Sequence, residues 1–190
     1  MALTLIAAPT VEPVTLAEVK SHLRVHVDDE NDVIRDFCLA AREHVEAFTR
    51  RALLTQTWDL QLDTFPAGVI ELPIAPVQSI TSITYLDSSS GASQTWASSD
   101  YRADLPVGPR APRARIEPDF GEVYPSTYGV LNAVTVRFVA GYGSLGASVP
   151  RSLRSAIKLL VEFWYRKGDG GKALTPAQIE ERLLWPFRSY

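Results

Sequence analysis

A single cysteine, Cys38, in 190 residues rules out a disulfide framework within the chain. Three histidines, His22, His26 and His44, fall at no ligand spacing, and with one cysteine they make no zinc set. No apolar run approaches the ~20 residues that span a bilayer. The opening MALTLIAAPTVEP lacks the basic stretch of a secretion signal. Charge of either sign is scarce in excess: the net value is −3, with no global basic footprint for gripping nucleic acid. No segment repeats. These absences exclude a secreted disulfide scaffold, a zinc module and a membrane-spanning protein. The expectation is a soluble protein made in a reducing cytoplasm.

What is present is enough apolar material for a proper core, 46% hydrophobic against 22% charged, which excludes wholesale disorder. The length suits one compact domain carrying a sizeable insertion. Thr15-Leu16-Ala17-Glu18 is a capping box, in which the threonine oxygen takes a free amide and the glutamate reaches back. Leu16, Val19 and Leu23 then share one face of a short helix ending near Arg24. Asp28, Asp29 and Glu30 open a second helix at its positive end. Val33, Ile34, Phe37, Cys38, Ala41, Val45 and Phe48 recur at helical spacing to about Arg50, an amphipathic stripe.

The middle of the chain changes period. TWDLQLDTF alternates as a strand does, and Ile80, Ile83 and Tyr85 lie in a second β-rich run closed by the turn SSSG. TWASSDYRAD reads as another strand with an irregularity. Residues 105–118 hold too many prolines for a central strand. Residues 133–139 form the last strand. Helix returns after Pro150, with Leu153, Ile157, Leu160, Val161 and Trp164 on its apolar face until Gly168-Asp169-Gly170-Gly171. Thr175-Pro176-Ala177-Gln178 opens a short final helix to about Leu184. The fold class expected is therefore α+β. Two N-terminal and two C-terminal helices form a helical bundle core, with a small β-domain inserted. The divisions fall at 1–56, 57–140 and 141–190, the first and last making one structural unit.

Chemistry is harder to find. VRFVAGYGSLG offers Gly141, Gly143 and Gly146 in the G-x-G-x-x-G order of a dinucleotide loop. That loop needs a second strand after its helix, an acidic residue for the ribose, and a helix whose first amides reach the phosphates. Residues 147–190 read as two helices with no second strand, and the first begins only near Pro150. The glycines are read as a strand-to-helix corner that binds no nucleotide. Ser144 has Tyr142, not glycine, two residues before it, so no nucleophile elbow forms. Asp28-Asp29-Glu30-Asn31-Asp32 lacks the glycine and distal glutamate of a calcium loop. No catalytic, cofactor-binding or metal residue is assigned, and the chain is read as no enzyme.

Two features exceed what a self-contained domain needs. Arg102, Arg110, Arg113 and Arg115 lie in or beside the proline-rich stretch, either a solvated loop or a contact to a charged partner or DNA phosphates. The tail LLWPFRSY ends in Trp185, Phe187 and Tyr190, spaced by Pro186 and Arg188, the residue types of interface anchors. The tail either packs back onto its own domain or leaves it to dock on a neighbouring protein; the second is expected, so that deleting it leaves the melting temperature nearly unchanged.

The order of motifs resembles head–tail connector (adaptor) proteins of tailed bacteriophages and of phage-derived gene transfer agents. The resemblance is carried by PVTLAEVKSHLRV, the acidic cap DDEND, IRDFCLAAREHVEAFTRRALLTQTWDL, IELPIAPVQSITSITYLD, VTVRFVAGYG and VPRSLRSAIKLLVEFWY, which together cover nearly the full length. It implies a virion structural protein of the particle neck, built as a helical core with a variable β-insertion. It implies a homo-oligomeric ring, usually dodecameric, attached beneath the portal protein. That ring extends the channel through which DNA passes without sequence recognition, and it meets the next connector, stopper or tail protein. No cofactor and no membrane are implied. Portal contacts of the family often involve the C-terminal segment, here Leu184, Trp185, Pro186, Phe187, Arg188 and Tyr190, a match by position. Two other classes stay open: an enzyme with an unrecognised site, and a monomeric protein-binding adaptor domain.

Overall fold

The structure, a computed structural model, describes residues 1–166 and 174–189. The glycine run expected to end the third helix lies outside the described residues. The described chain is α+β, with four helices and two antiparallel sheets. It divides into two compact units, Met1–Ala8 with Thr55–Gly141, and Pro9–Leu54 with Tyr142–Tyr190.

In the helical unit, α1 (Leu16–Leu23) starts at the expected capping box: Thr15 accepts from the Glu18 amide at 3.2 Å and Glu18 accepts from the Thr15 amide at 2.8 Å. Arg24 closes the helix in the left-handed conformation. α2 (Asn31–Thr49) buries Ile34, Cys38, Ala41 and Val45, while Val33 is half exposed, so the apolar stripe is narrower than the sequence spacing suggested. Glu30 makes no side-chain cap for α2; instead it accepts from the Tyr165 hydroxyl. Asp28 accepts from Lys20 at 2.7 Å. α3 (Arg151–Tyr165) contributes Leu153, Ala156, Ile157, Leu160 and Val161 to the same core. α4 (Pro176–Ile179) opens at the second capping box, on Thr175 and Gln178, and runs on as a π turn (Glu180–Leu184) and a 3-10 turn (Trp185–Phe187).

In the β-unit, β1 (Ala2–Ala7), β2 (Gln56–Leu62), β8 (Val134–Ala140), β4 (Val77–Leu86) and β5 (Ser93–Thr95) form one sheet in that order. β8 is central and buries Val134, Val136, Phe138 and Ala140 at alternate positions, the period-2 pattern of a strand with one face in the core. A second sheet has the order β3 (Ile70–Glu71), β7 (Arg115–Pro118), β6 (Tyr101–Asp104). Phe65 stacks on Tyr124 at 5.0 Å between ring centroids and meets Trp96 edge-on at 5.3 Å, with Tyr101 packed 5.0 Å from Trp96. Of this aromatic cluster, Phe65 and Trp96 are buried, beside a mostly aliphatic set of buried residues that includes Leu60, Ile83 and Val136.

Two expectations are corrected. Residues 1–8, read as part of the helical segment 1–56, belong to the β-unit, where Ala2–Ala7 pair with β2 as strand β1. Five of the six β1 residues are exposed, so ALTLIA lacks the alternation that marks a half-buried strand. Residues 105–118 do contain a central strand, β7. Its prolines lie before it, except Pro118, which ends it opposite Tyr101 and leaves the ladder inside intact.

Candidate functional site

The glycine corner answers to packing. Gly141 has φ 130° and Gly143 φ 150°, backbone that side chains with a Cβ rarely adopt. A Cβ on Gly143 would stand 2.7 Å from the Ser148 hydroxyl oxygen, and one on Gly146 would stand 2.6 Å from the Pro13 carbonyl oxygen. The corner at Gly146 is filled by the chain's own backbone. A 3-10 turn (Gly146–Ser148) and Pro150 intervene before α3.

The tail differs from its expectation. Leu184 and Phe187 are buried in the helical core, and the Ser189 amide donates to the Thr49 carbonyl at 2.9 Å. Arg51, only 2% exposed, donates through Nε to the Phe187 carbonyl. Burial pulls the Arg51 pKa down, while a hydrogen bond with Tyr142 supports its charge. So the segment through Ser189 does not leave the domain; an arginine inside the unit grips it. Trp185 remains 53% exposed, and the Arg188 guanidinium lies 5.5 Å from its ring centroid and 5.6 Å from that of Phe48. Pro186 is exposed beside them. The outward surface of the tail is therefore Trp185, Pro186 and Arg188. Tyr190 lies outside the described residues.

The arginine cluster is matched by acids. Arg102 pairs with Asp119 at 3.0 Å and Glu117 at 3.5 Å, Arg115 with Asp104 at 2.9 Å, and Arg113 with Glu71 at 3.5 Å. Two pairings follow strand register, Arg102 opposite Glu117 and Asp104 opposite Arg115 across β6 and β7. The hydrogen bond to Asp104 raises the Arg115 pKa. Arg110 is exposed in the preceding loop. The structure brings Arg102 and Arg115 onto one neutralised strand pair rather than into a basic patch.

Sequence reading passed over an exposed apolar turn. Phe120 is 95% exposed, and Val123 close by is 78% exposed. Its signal in the sequence is Asp119-Phe120-Gly121, a turn tripeptide presenting an aromatic between Pro118 and Pro125. Among the described residues, no group of three or more His, Cys, Asp or Glu is placed to hold a metal ion. No described helix is long and apolar enough to cross a membrane.

Residues 13–103 match the family model for the Phage gp6-like head-tail connector protein. The chain is similar over its whole length to chains in solved structures of gene transfer agent particles and their necks. Against a chain in the neck of an empty GTA particle computed with C6 symmetry, it is 26% identical with TM-score 0.79. Against one in the virion of a native gene transfer agent particle it is 25% identical with TM-score 0.81. A third, in the neck of a native GTA particle computed with C12 symmetry, is 26% identical with TM-score 0.75. Each likeness covers 100% of this chain and 96% of the other. No curated protein matches. The resemblance to head–tail connectors read from motif order is borne out.

Proposed function

We propose that this relative of head–tail connector proteins is itself a structural connector in the neck of a phage or phage-like particle, joining head to tail. The observation that carries the reading is the full-length likeness to chains of gene transfer agent necks, joined by a separate family match over residues 13–103. The helical unit is the body of the connector, and the β-unit is its inserted elaboration. Copies form a ring below the portal, a reading supported by the cyclic symmetry of the similar necks. The ring extends the DNA channel. A net charge of −3 and arginines held by acids suit a wall along which DNA slides without sticking. The family and the neighbours are structural virion proteins, which supports a role without catalysis.

The portal contact is made by the outward surface of the C-terminal segment, Trp185, Pro186 and Arg188. Leu184 and Phe187 fix that surface from within. A half-exposed tryptophan held by a stacked arginine is an anchor whose conformation is set before binding, which lowers the entropy cost of docking. Electron microscopy and mass spectrometry of purified particles test the reading. The chain is expected in the neck, between portal and tail, and particles made without it should accumulate as tailless heads. A chain absent from the neck would overturn it.

A further inference from the structure

The Phe120 turn is rigid and exposed at once, and nothing in its own unit uses it. The Glu122 amide donates to the Asp119 carbonyl at 2.9 Å, and Gly121 supplies the positive φ of 86° that such a turn needs in third position. The Asp119 carboxylate accepts from the Phe120 amide at 2.7 Å and from Arg102 at 3.0 Å. The Asp119 amide donates to the Asp100 carbonyl at 2.9 Å, and downstream the Tyr124 hydroxyl donates to the Gly68 carbonyl at 2.8 Å. A turn tied at both ends thus holds Phe120 in water. Burying an aromatic held in this way gains apolar contact at little further ordering cost.

A complementary surface lies on the helical unit. A depression of about 610 Å³ opens where α1 meets the start of α2, with Leu16, Ala17 and Val25 as its apolar part and Ser21, His26 and Asp28 among its polar lining. Its rim is fixed, because Lys20 Nζ donates to the Val27 carbonyl at 2.7 Å, Asp28 at 2.7 Å and Asn31 at 2.8 Å. Arg24, held at φ 60° on the same rim, is exposed and has no ion pair among the described residues. Beside Phe120, Glu122 is likewise exposed and outside every ion pair of the described residues. One surface offers an aromatic with a spare negative charge, and the other a polar-rimmed hollow with an apolar part and a spare positive charge.

We infer that the Phe120 turn of one copy seats in the α1–α2 depression of the next, with Glu122 facing Arg24. The occupant is a second copy, because chains similar to this one sit in necks of cyclic symmetry and the free charges of the two surfaces are opposite. They are different surfaces, so the contact is head-to-tail, the kind that makes a ring when its rotation closes. This contact rests on the connector reading above.

Disulfide trapping tests it. In a Cys38→Ala background, protein carrying Phe120→Cys is mixed with protein carrying Ala17→Cys and oxidised. The mixed dimer should form about tenfold or more faster than with Val107→Cys, an equally exposed loop position, as oriented and charge-steered encounters do. Arg24→Glu in the Ala17→Cys protein should slow trapping, and Glu122→Lys in the Phe120→Cys protein should restore it. Equal rates for Phe120→Cys and Val107→Cys, or no rescue by the charge swap, would overturn the contact. The connector reading is judged separately, by the chain's position in the neck. A chain present there whose cysteines trap no faster than the control loses this contact and keeps that function.

Discussion

Arg51 donates through Nε to the carbonyl oxygen of Phe187, a hydrogen bond between a buried arginine just after α2 and the 3-10 turn near the chain's end. The arginine's desolvation is offset in part by that carbonyl and by Tyr142. Phe187, 5% exposed, sits in the core with Leu184 and Ile179. Phe187→Ala should therefore destabilise the protein by ~3–5 kcal/mol, the usual cost of emptying a buried phenylalanine site. Trp185→Ala should shift the melting temperature little, yet abolish attachment to portal-bearing heads. Urea unfolding and a head-binding assay separate the two. A Phe187→Ala protein as stable as its parent would show that the tail is not core.

Gly146 concerns the corner that resembles a phosphate loop. Its missing Cβ would stand 2.6 Å from the Pro13 carbonyl oxygen, and that neighbour is backbone, which cannot swing aside. Gly146→Ala should cost ~1–3 kcal/mol, as overpacking does. Calorimetry with NAD, FAD and ATP should show no heat of binding. A stoichiometric micromolar titration would reopen the nucleotide reading.

These two sites show how much was legible in the sequence. Both capping boxes and the β8 strand could be read from local residue types, because each depends on neighbours within a few positions. The fate of the tail could not. Pro186 does end regular helix, but whether Phe187 turns inward depends on a hollow built by α2 and α3 and on an arginine 136 residues earlier. Strand β1 was missed for a related reason. Its pairing partner lies beyond two helices, and its exposed faces carry no period-2 signal. The arginines were seen as a basic loop because their acidic partners come from other strands, Asp104 and Glu117 across a register that spacing does not reveal.

The β6–β7 arginines should be nearly silent. Arg102 and Arg115 are 60% and 58% exposed, and each already faces a carboxylate, so their pairs are well screened by solvent. The double variant Arg102→Ala/Arg115→Ala should melt close to the parent. Fluorescence anisotropy with duplex DNA at about physiological salt should detect no binding by either protein. Salt-sensitive DNA binding that disappears in the double variant would restore a phosphate-contacting role for this strand pair.

Cys38 allows the alkaline limb of stability to be predicted with its sign. Burial, aided by the Glu12 carboxylate, pushes the thiol from 9.0 up to about 11, and the residue is 4% exposed on the inner face of α2. The folded state therefore holds the thiol proton more tightly than the unfolded chain. That preference contributes fully below pH 9, where both states are protonated. It is lost as pH rises towards 11, because the unfolded chain sheds the proton first. Cys38→Ala removes the titration, so its decline in stability between pH 9 and 11 should be shallower than the parent's, measured by urea unfolding across that range. At pH 8 the buried thiol should resist a disulfide reagent until urea exposes it, since the thiolate is the reacting species. Rapid labelling of the folded protein at pH 8 would mean that this face of α2 opens to solvent, and that the core between α2 and α3 is looser than the buried side chains imply.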